Sequence, residues 1–286
     1  MMEAELVDCP LCGWNKYSLW FRENGYNCVR CINCELLYVN PRPNKAAIDS
    51  AVQIGSHQFE DGTALNTKAK RETGKQSESV SMLKHTYEDI IASNKAISWL
   101  DIGAGYGEFV GALITILPNG STVHGIEPME HKVRNARSNG LPIIQGYLDT
   151  INQKYSFVSL IDVFSHIPDF PVFLESIKSV LDKDGEILIK TGNAADIGNR
   201  CNFPGPLNLP DHLIFGGVSQ LTRFLTDAGF EIVAIKAQRI DGFWYSLKNI
   251  IKWLLRQQVF FGLPFRSPTR TLWIRAKLNN SNKVNT

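Results

Sequence analysis

Trp99 to Phe109 reads WLDIGAGYGEF, and the fold follows from how that stretch changes character along its length. Ile97, Trp99, Leu100 and Ile102 form a short apolar run of the kind that makes a strand buried on both faces. Gly103, Gly105 and Gly107 then come two apart. Without a Cβ the backbone there turns sharply and lets a ligand lie against it. Beyond them Phe109, Val110, Leu113, Ile114 and Leu117 recur at helical spacing. A strand, a bare glycine turn and a helix N-terminus together make the edge at which nucleotide-like ligands bind in open α/β sheets.

Working outward, the glycines lack dinucleotide spacing. A G-x-G-x-x-G run would put its third glycine where Glu108 stands, which disfavours a nicotinamide oxidoreductase. Asp101 precedes Gly103 by two residues, at the strand's end, where a carboxylate can meet an ammonium group or a water. Thr122 to Ile126 reads as a second strand ending at Glu127, twenty-four residues beyond Gly103. An acid near that offset reaches ribose hydroxyls, and its two oxygens match two vicinal hydroxyls. Leu141 to Gly146 is a third strand, followed by Tyr147 and Leu148, and Tyr155 to Val163 is a fourth, leading into FSHIPD at Phe164 to Asp169. A turn at Asp182 to Gly185 precedes a fifth strand at Glu186 to Lys190, Phe230 to Ala237 is the sixth, and Arg270 to Leu278 is the last.

The run from Asp101 to Gly107, with GIEP at Gly125 to Pro128, resembles motif I and the next strand end of the class I S-adenosylmethionine-dependent methyltransferases. That resemblance runs from Asn44 onward and implies an α/β fold, a doubly wound seven-stranded sheet of Rossmann-like type. It implies S-adenosylmethionine as cofactor, held by Asp101, Gly103, Ala104, Gly105, Gly107, Glu127, Pro128, Tyr147, Leu148 and Asp162. Ser156 and Ser165 stand where family members often carry acids, so the base for the reaction is less clearly marked. The candidates are His166, after the fourth strand, and His212, within the glycine- and proline-rich stretch Thr191 to Phe215; a neutral imidazole can take a hydroxyl proton. His166 is preferred by position. The acceptor implied is a hydroxyl of a small molecule or glycan precursor. An RNA base methyltransferase is the alternative, although Asp162-Val163-Phe164-Ser165 stands where exocyclic-amine enzymes carry Asn/Asp-Pro-Pro-aromatic. A non-catalytic zinc-binding interaction protein with a relict cofactor fold is a third, opposed by the retention of both Asp101 and Glu127.

Cys9-Pro-Leu-Cys12 and Cys31-Ile-Asn-Cys34, eighteen residues apart, have the spacing of a four-cysteine ribbon closed on a structural zinc ion. Cys28 reads as packing in a strand between them. Residues 1–43 are therefore expected to form a zinc-ribbon-like module and linker, and 44–286 a methyltransferase domain. The polar stretch Asn44 to Ser77 suggests no clear element; Val80, Leu83, Tyr87, Ile90 and Ile91 suggest one helix. His57 and His85 read as surface or capping groups. Residues 243–265 hold an apolar face, Phe243, Leu247, Ile250, Ile251 and Leu254, opposite Lys248, Lys252 and Arg256. Three charges disfavour a membrane span, leaving a lid, a dimer contact or a helix lying on an anionic membrane surface.

The formal charge of +2 and the absence of any block of like charges give no support for a nucleic-acid partner. No signal peptide is evident, and cysteines in metal-like spacing agree with a cytoplasmic setting.

Overall fold

The structure is a computed structural model that describes residues 4–58, 64–66, 75–197, 200, 206–238, 251, 254–255 and 271–279. Its large sheet has seven strands, here β1 to β7 in chain order: Ser98–Ile102, Thr122–Glu127, Ile143–Gln145, Tyr155–Ile161, Leu181–Gly192, Phe230–Gln238 and Thr271–Leu278. Their spatial order is β3-β2-β1-β4-β5-β7-β6. The first five are parallel, and β7 runs antiparallel between β5 and β6.

Alternation along each strand divides the core in two. Trp99, Phe157, Leu188 and Trp273 pack on one face with Phe109 and Leu113 of the helix Glu108–Ile116. Leu100, Val158, Ile187, Ile189 and Ile274 pack on the other, under the helices Phe170–Val180 and Val218–Asp227. The sheet reverses its direction of build between β1 and β4, and ligands bind open α/β sheets beyond the strand ends at such a point.

Three local expectations change. β5 starts at Leu181 in place of a turn, because a register shift between Tyr155 and Phe157 takes up Asp182 to Gly185. The single helix expected from Val80 to Ile91 is two, Lys75–Thr86 and Glu88–Ser93, since Tyr87 leaves helical geometry (φ −125°, ψ 31°). Its ring is buried against Trp99, with centroids 5.0 Å apart, and beneath the Arg275 guanidinium. Within the polar stretch the structure has a helix at Lys45–Ile54, begun by the Asn44 side chain on the Ala47 N–H (3.0 Å) and ended by Gly55 at φ 73°.

The N-terminal segment is fastened to this body. Tyr17–Glu23, Tyr26–Cys31 and Leu37–Val39 form an antiparallel sheet whose fourth strand is Ile214–Phe215. Tyr38 pairs with Ile214 and Leu37 with Phe215. Leu36 and Tyr38 share a core with β4 and β5. Of the amphipathic segment at 243–265, only Ile251, Leu254 and Leu255 fall among the described residues, and all three are exposed; the expectation made for it lies outside them. No helix among the described residues is long and apolar enough to cross a membrane.

Candidate active site

Strand register sets Asp101 beside Ser159 of β4 and Gly125 of β2. Asp101 is buried and accepts a hydrogen bond from Ser159 Oγ at 2.5 Å, while Ser159 Oγ accepts from Trp99 Nε1 at 3.0 Å. Burial pushes the Asp101 carboxyl up to about 8 against the opposing bond from Ser159, and the nearby Glu127 and Glu108 charges add to the rise. A buried acid of this kind gains most from a cation brought by a ligand.

Glu127, at the end of β2, uses both oxygens on the glycine loop's surroundings. Oε2 accepts from the Gly105 N–H at 2.9 Å and Oε1 from the Met129 N–H at 3.1 Å. Gly105 has φ 58°, and a Cβ there would meet nothing within 4 Å, so open space lies against its backbone. Gly107 differs. It caps the helix Glu108–Ile116 at φ 83°, and a Cβ on it would lie 2.5 Å from Leu141 Cδ1. Its glycine is required by packing.

These groups open onto a cavity of about 770 Å³. Of the ten residues expected to hold the cofactor, nine line it, and Gly107 stands behind the loop against Leu141. The size lies within the usual range for small-molecule sites. Backbone with open space before it, one carboxylate suited to an ammonium group and one suited to a diol fit S-adenosylmethionine.

His166 and His212 line the same cavity with Asp211, and the two imidazole centroids are 4.7 Å apart. His166 Nδ1 lies 2.9 Å from the Asp211 carbonyl oxygen and 3.5 Å from its Oδ1. Both oxygens accept, so Nδ1 carries the proton and Nε2 keeps its lone pair. Burial would lower the His166 pKa, but the Asp211 hydrogen bond and charge outweigh it and raise it above the ordinary value. Burial likewise opposes the Asp211 carboxylate, yet the His166 and His57 contacts hold its pKa well below the usual range. His212 is brought down to about 4 by burial first and the His166 charge second, so it is neutral at pH 7.

Three members of the site carry no signal in the sequence. Ser159 meets Asp101 only through strand pairing, which residue spacing does not reveal. Asp211 is marked by nothing beyond its place next to His212. His57 is not a surface group: it is 4% exposed, with Nε2 3.5 Å from Asp211 Oδ1. Ser156 sits at the other end of β4, donating to Asp182 at 3.0 Å, away from this chemistry.

The four ribbon cysteines converge as their spacing suggests. Their sulfurs all lie within 4.8 Å of one another, with Cys9 to Cys34 at 3.4 Å and Cys12 to Cys31 at 3.6 Å. A zinc ion with Zn–S bonds of about 2.3 Å needs tetrahedral edges of about 3.8 Å. The hydrogen bond between Cys9 and Cys34 draws the Cys9 thiol down to about 5 and pushes Cys34 up, so without a metal the two sulfurs share one proton. Cys28 stands apart, buried in its strand, its thiol pushed up to about 12 chiefly by burial.

A family model described as a methyltransferase domain matches residues 74–235. Among solved structures, the plantazolicin methyltransferase BpumL, in complex with a monoazolic desmethylPZN analog and SAH, is 17% identical with a TM-score of 0.50, over 72% of this chain and 85% of BpumL. A SAM-dependent methyltransferase from Archaeoglobus fulgidus is 18% identical with a TM-score of 0.48, over 71% of this chain and 94% of its own. Magnesium protoporphyrin IX methyltransferase (ChlM) from Synechocystis PCC 6803, with bound SAH, is 14% identical with a TM-score of 0.48, over 74% and 90%. The likeness to BpumL is one of fold. No curated protein sequence matches this chain significantly.

Proposed function

From the premise that this chain belongs to the methyltransferase-domain family and is an S-adenosylmethionine-dependent enzyme, we propose that it methylates a hydroxyl of a small molecule or glycan precursor, with His166 as the base. One observation carries this reading: the carboxylates suited to the cofactor and an imidazole with a free lone pair line one cavity.

S-adenosylmethionine supplies an electrophilic methyl group on a sulfonium whose departing thioether is stable. Asp101 holds the amino end of the methionine part, the backbone at Gly103 to Gly105 supports it, and Glu127 accepts from the ribose hydroxyls. Tyr147 and Leu148 border the adenine. Positioning does most of the work, because in-line approach and exclusion of water lower the barrier without further chemistry. His166 Nε2 would take the acceptor's hydroxyl proton during methyl transfer, and Asp211 would stabilise the imidazolium formed. His212, neutral at pH 7, is the second candidate for the proton.

The four thiols suit one structural zinc, since a site closed by four sulfurs leaves no position for substrate. Residues 1–43 then act as ribbon and linker, and 44–286 as the catalytic part. Reduced, clustered thiols fit a cytoplasmic setting. Incubation of the protein with methyl-labelled cofactor and fractionated hydroxyl-bearing acceptors tests the reading. Label is expected in an alkali-stable methyl ether; label in nucleic acid alone would replace the acceptor class with RNA.

A further inference from the structure

The segment that brings Asp211 and His212 to the cavity lies between β5, which ends at Gly192, and the helix beginning at Val218. Its own turn is small: the Asp211 and His212 N–H groups donate to the Asn208 carbonyl at 2.9 and 3.2 Å. Among the described residues it is also held by the ribbon, more than 170 residues earlier in the chain.

Glu23 ends the strand Tyr17–Glu23, and its carboxylate accepts from three consecutive backbone amides. Oε2 takes the Leu207 N–H at 2.9 Å; Oε1 takes those of Asn208 at 2.6 Å and Leu209 at 3.3 Å. Successive N–H groups turned to one point form an anion-binding concavity, and here the anion is a side chain of the same protein. Asn24, in the hairpin turn, donates from Nδ2 to the Leu209 carbonyl at 2.7 Å. On the far side of the histidine, the Val39 N–H donates to the Leu213 carbonyl at 2.8 Å, where Ile214 and Phe215 enter the ribbon sheet. The Leu213 N–H in turn donates to the Ser165 carbonyl at 2.7 Å, beside His166. The ribbon therefore grips the loop before and after Asp211-His212.

We propose that Glu23 and Asn24 are positioning residues for methyl transfer, fixing the backbone from Leu207 to Leu209 so that Asp211 and His212 face His166. The proposal rests on the reading of His166 as the acceptor-side base. The ribbon thereby gains a mechanical role, its hairpin serving as a strut of the acceptor wall. Charge-assisted bonds from one carboxylate to three amides are strong and directional, so removing them frees the backbone that leads into Asp211 and His212.

The test uses the full-length, zinc-loaded protein and three variants, Glu23→Ala, Glu23→Gln and Asn24→Ala. Cofactor affinity, zinc content, kcat and the NMR titration of the His166 side chain are measured. The charged and titratable groups around that imidazole are Asp211, His212 and Lys132, with His57 across Asp211. In Glu23→Ala, kcat should fall about 10- to 100-fold with cofactor affinity and zinc unchanged, and the His166 titration should move down toward the ordinary imidazole value. Glu23→Gln, which retains an acceptor for Asn208 and Leu209 but turns its amide nitrogen toward the Leu207 N–H, should recover part of both. Should Glu23→Ala fail to fold, Asn24→Ala serves alone, with about a fivefold loss of kcat and a titration shift of the same sign. Wild-type kcat with a wild-type His166 titration in the folded variant overturns the proposal. The titration requires no acceptor, so an error in the base reading, visible as full turnover in His166→Ala, is distinguished from an error in the positioning.

Discussion

The cofactor wall and the acceptor wall of the cavity are built in opposite ways. Asp101, the glycine loop and Glu127 occupy one short piece of chain, brought together by the parallel pairing of β1 with β2 and by Glu127's bonds to the Gly105 and Met129 amides. His57, His166 and Asp211 come from three distant segments, the strand Ser56–Gln58, the turn after β4 and the loop before Val218, and the ribbon sheet holds that loop through Ile214 and Phe215. A wall coded locally survives damage elsewhere. A wall assembled from afar fails when any support is lost, so cofactor binding and methyl transfer should respond separately to injury.

The largest separation should follow removal of the zinc ion proposed for the four cysteines. Stripping the metal frees four thiols in a segment with little core of its own, and the ribbon sheet carries Ile214–Phe215 with it. Turnover should fall more than about 100-fold while the cofactor still binds within about threefold of the native affinity. Metal analysis alongside both assays checks this. Zinc-free protein as isolated, with full turnover, would break the comparison at its strongest point.

Next comes His166→Ala, expected to lose about 100-fold in turnover and to leave cofactor affinity intact. Only the neutral imidazole accepts a proton, and Asp211 raises the His166 pKa. Wild-type turnover should therefore climb with pH through a value above about 6.5, the ordinary imidazole pKa. A flat profile, or a rise centred below that value, would remove His166 from the base's role.

The smallest effect lies on the cofactor side. With its carboxyl pushed up to about 8, Asp101 is protonated in the free protein at pH 7 and must ionise to meet an ammonium group. Cofactor binding at pH 7 should release close to one proton, and affinity should rise by at most about tenfold per pH unit until the carboxyl is ionised. Calorimetry in buffers of different ionisation enthalpy measures this directly, and a heat independent of buffer would place the ammonium elsewhere.

The same contrast governs what the sequence could disclose. The apolar run into Asp101, the glycines and the acid at Glu127 are signals of spacing, and the structure lays them along one sheet edge as expected. Spacing also misled: Tyr87 continues the apolar period of its neighbours although its backbone breaks the helix. The helix Lys45–Ile54 buries only Ile48 and Ala51, too few to stand out in a polar stretch, and only its end signals Asn44 and Gly55 marked it. Contacts across long separations left no trace. The Asp211 carbonyl meets His166 over 45 residues and Glu23 meets Leu207 over 184, and nothing in either neighbourhood's composition announces the partner. His57 reads as a surface group because its burial depends on packing that residue types nearby do not determine.

The central claim is that the glycine loop and Glu127 hold S-adenosylmethionine. Calorimetric titration of the cofactor into wild type and Glu127→Ala tests it most directly. Loss of the carboxylate leaves the ribose hydroxyls and the Gly105 and Met129 amides short of an acceptor. The variant should bind more weakly by about 1 to 3 kcal/mol, with its fold unchanged. Wild-type affinity in a folded Glu127→Ala protein would contradict the account.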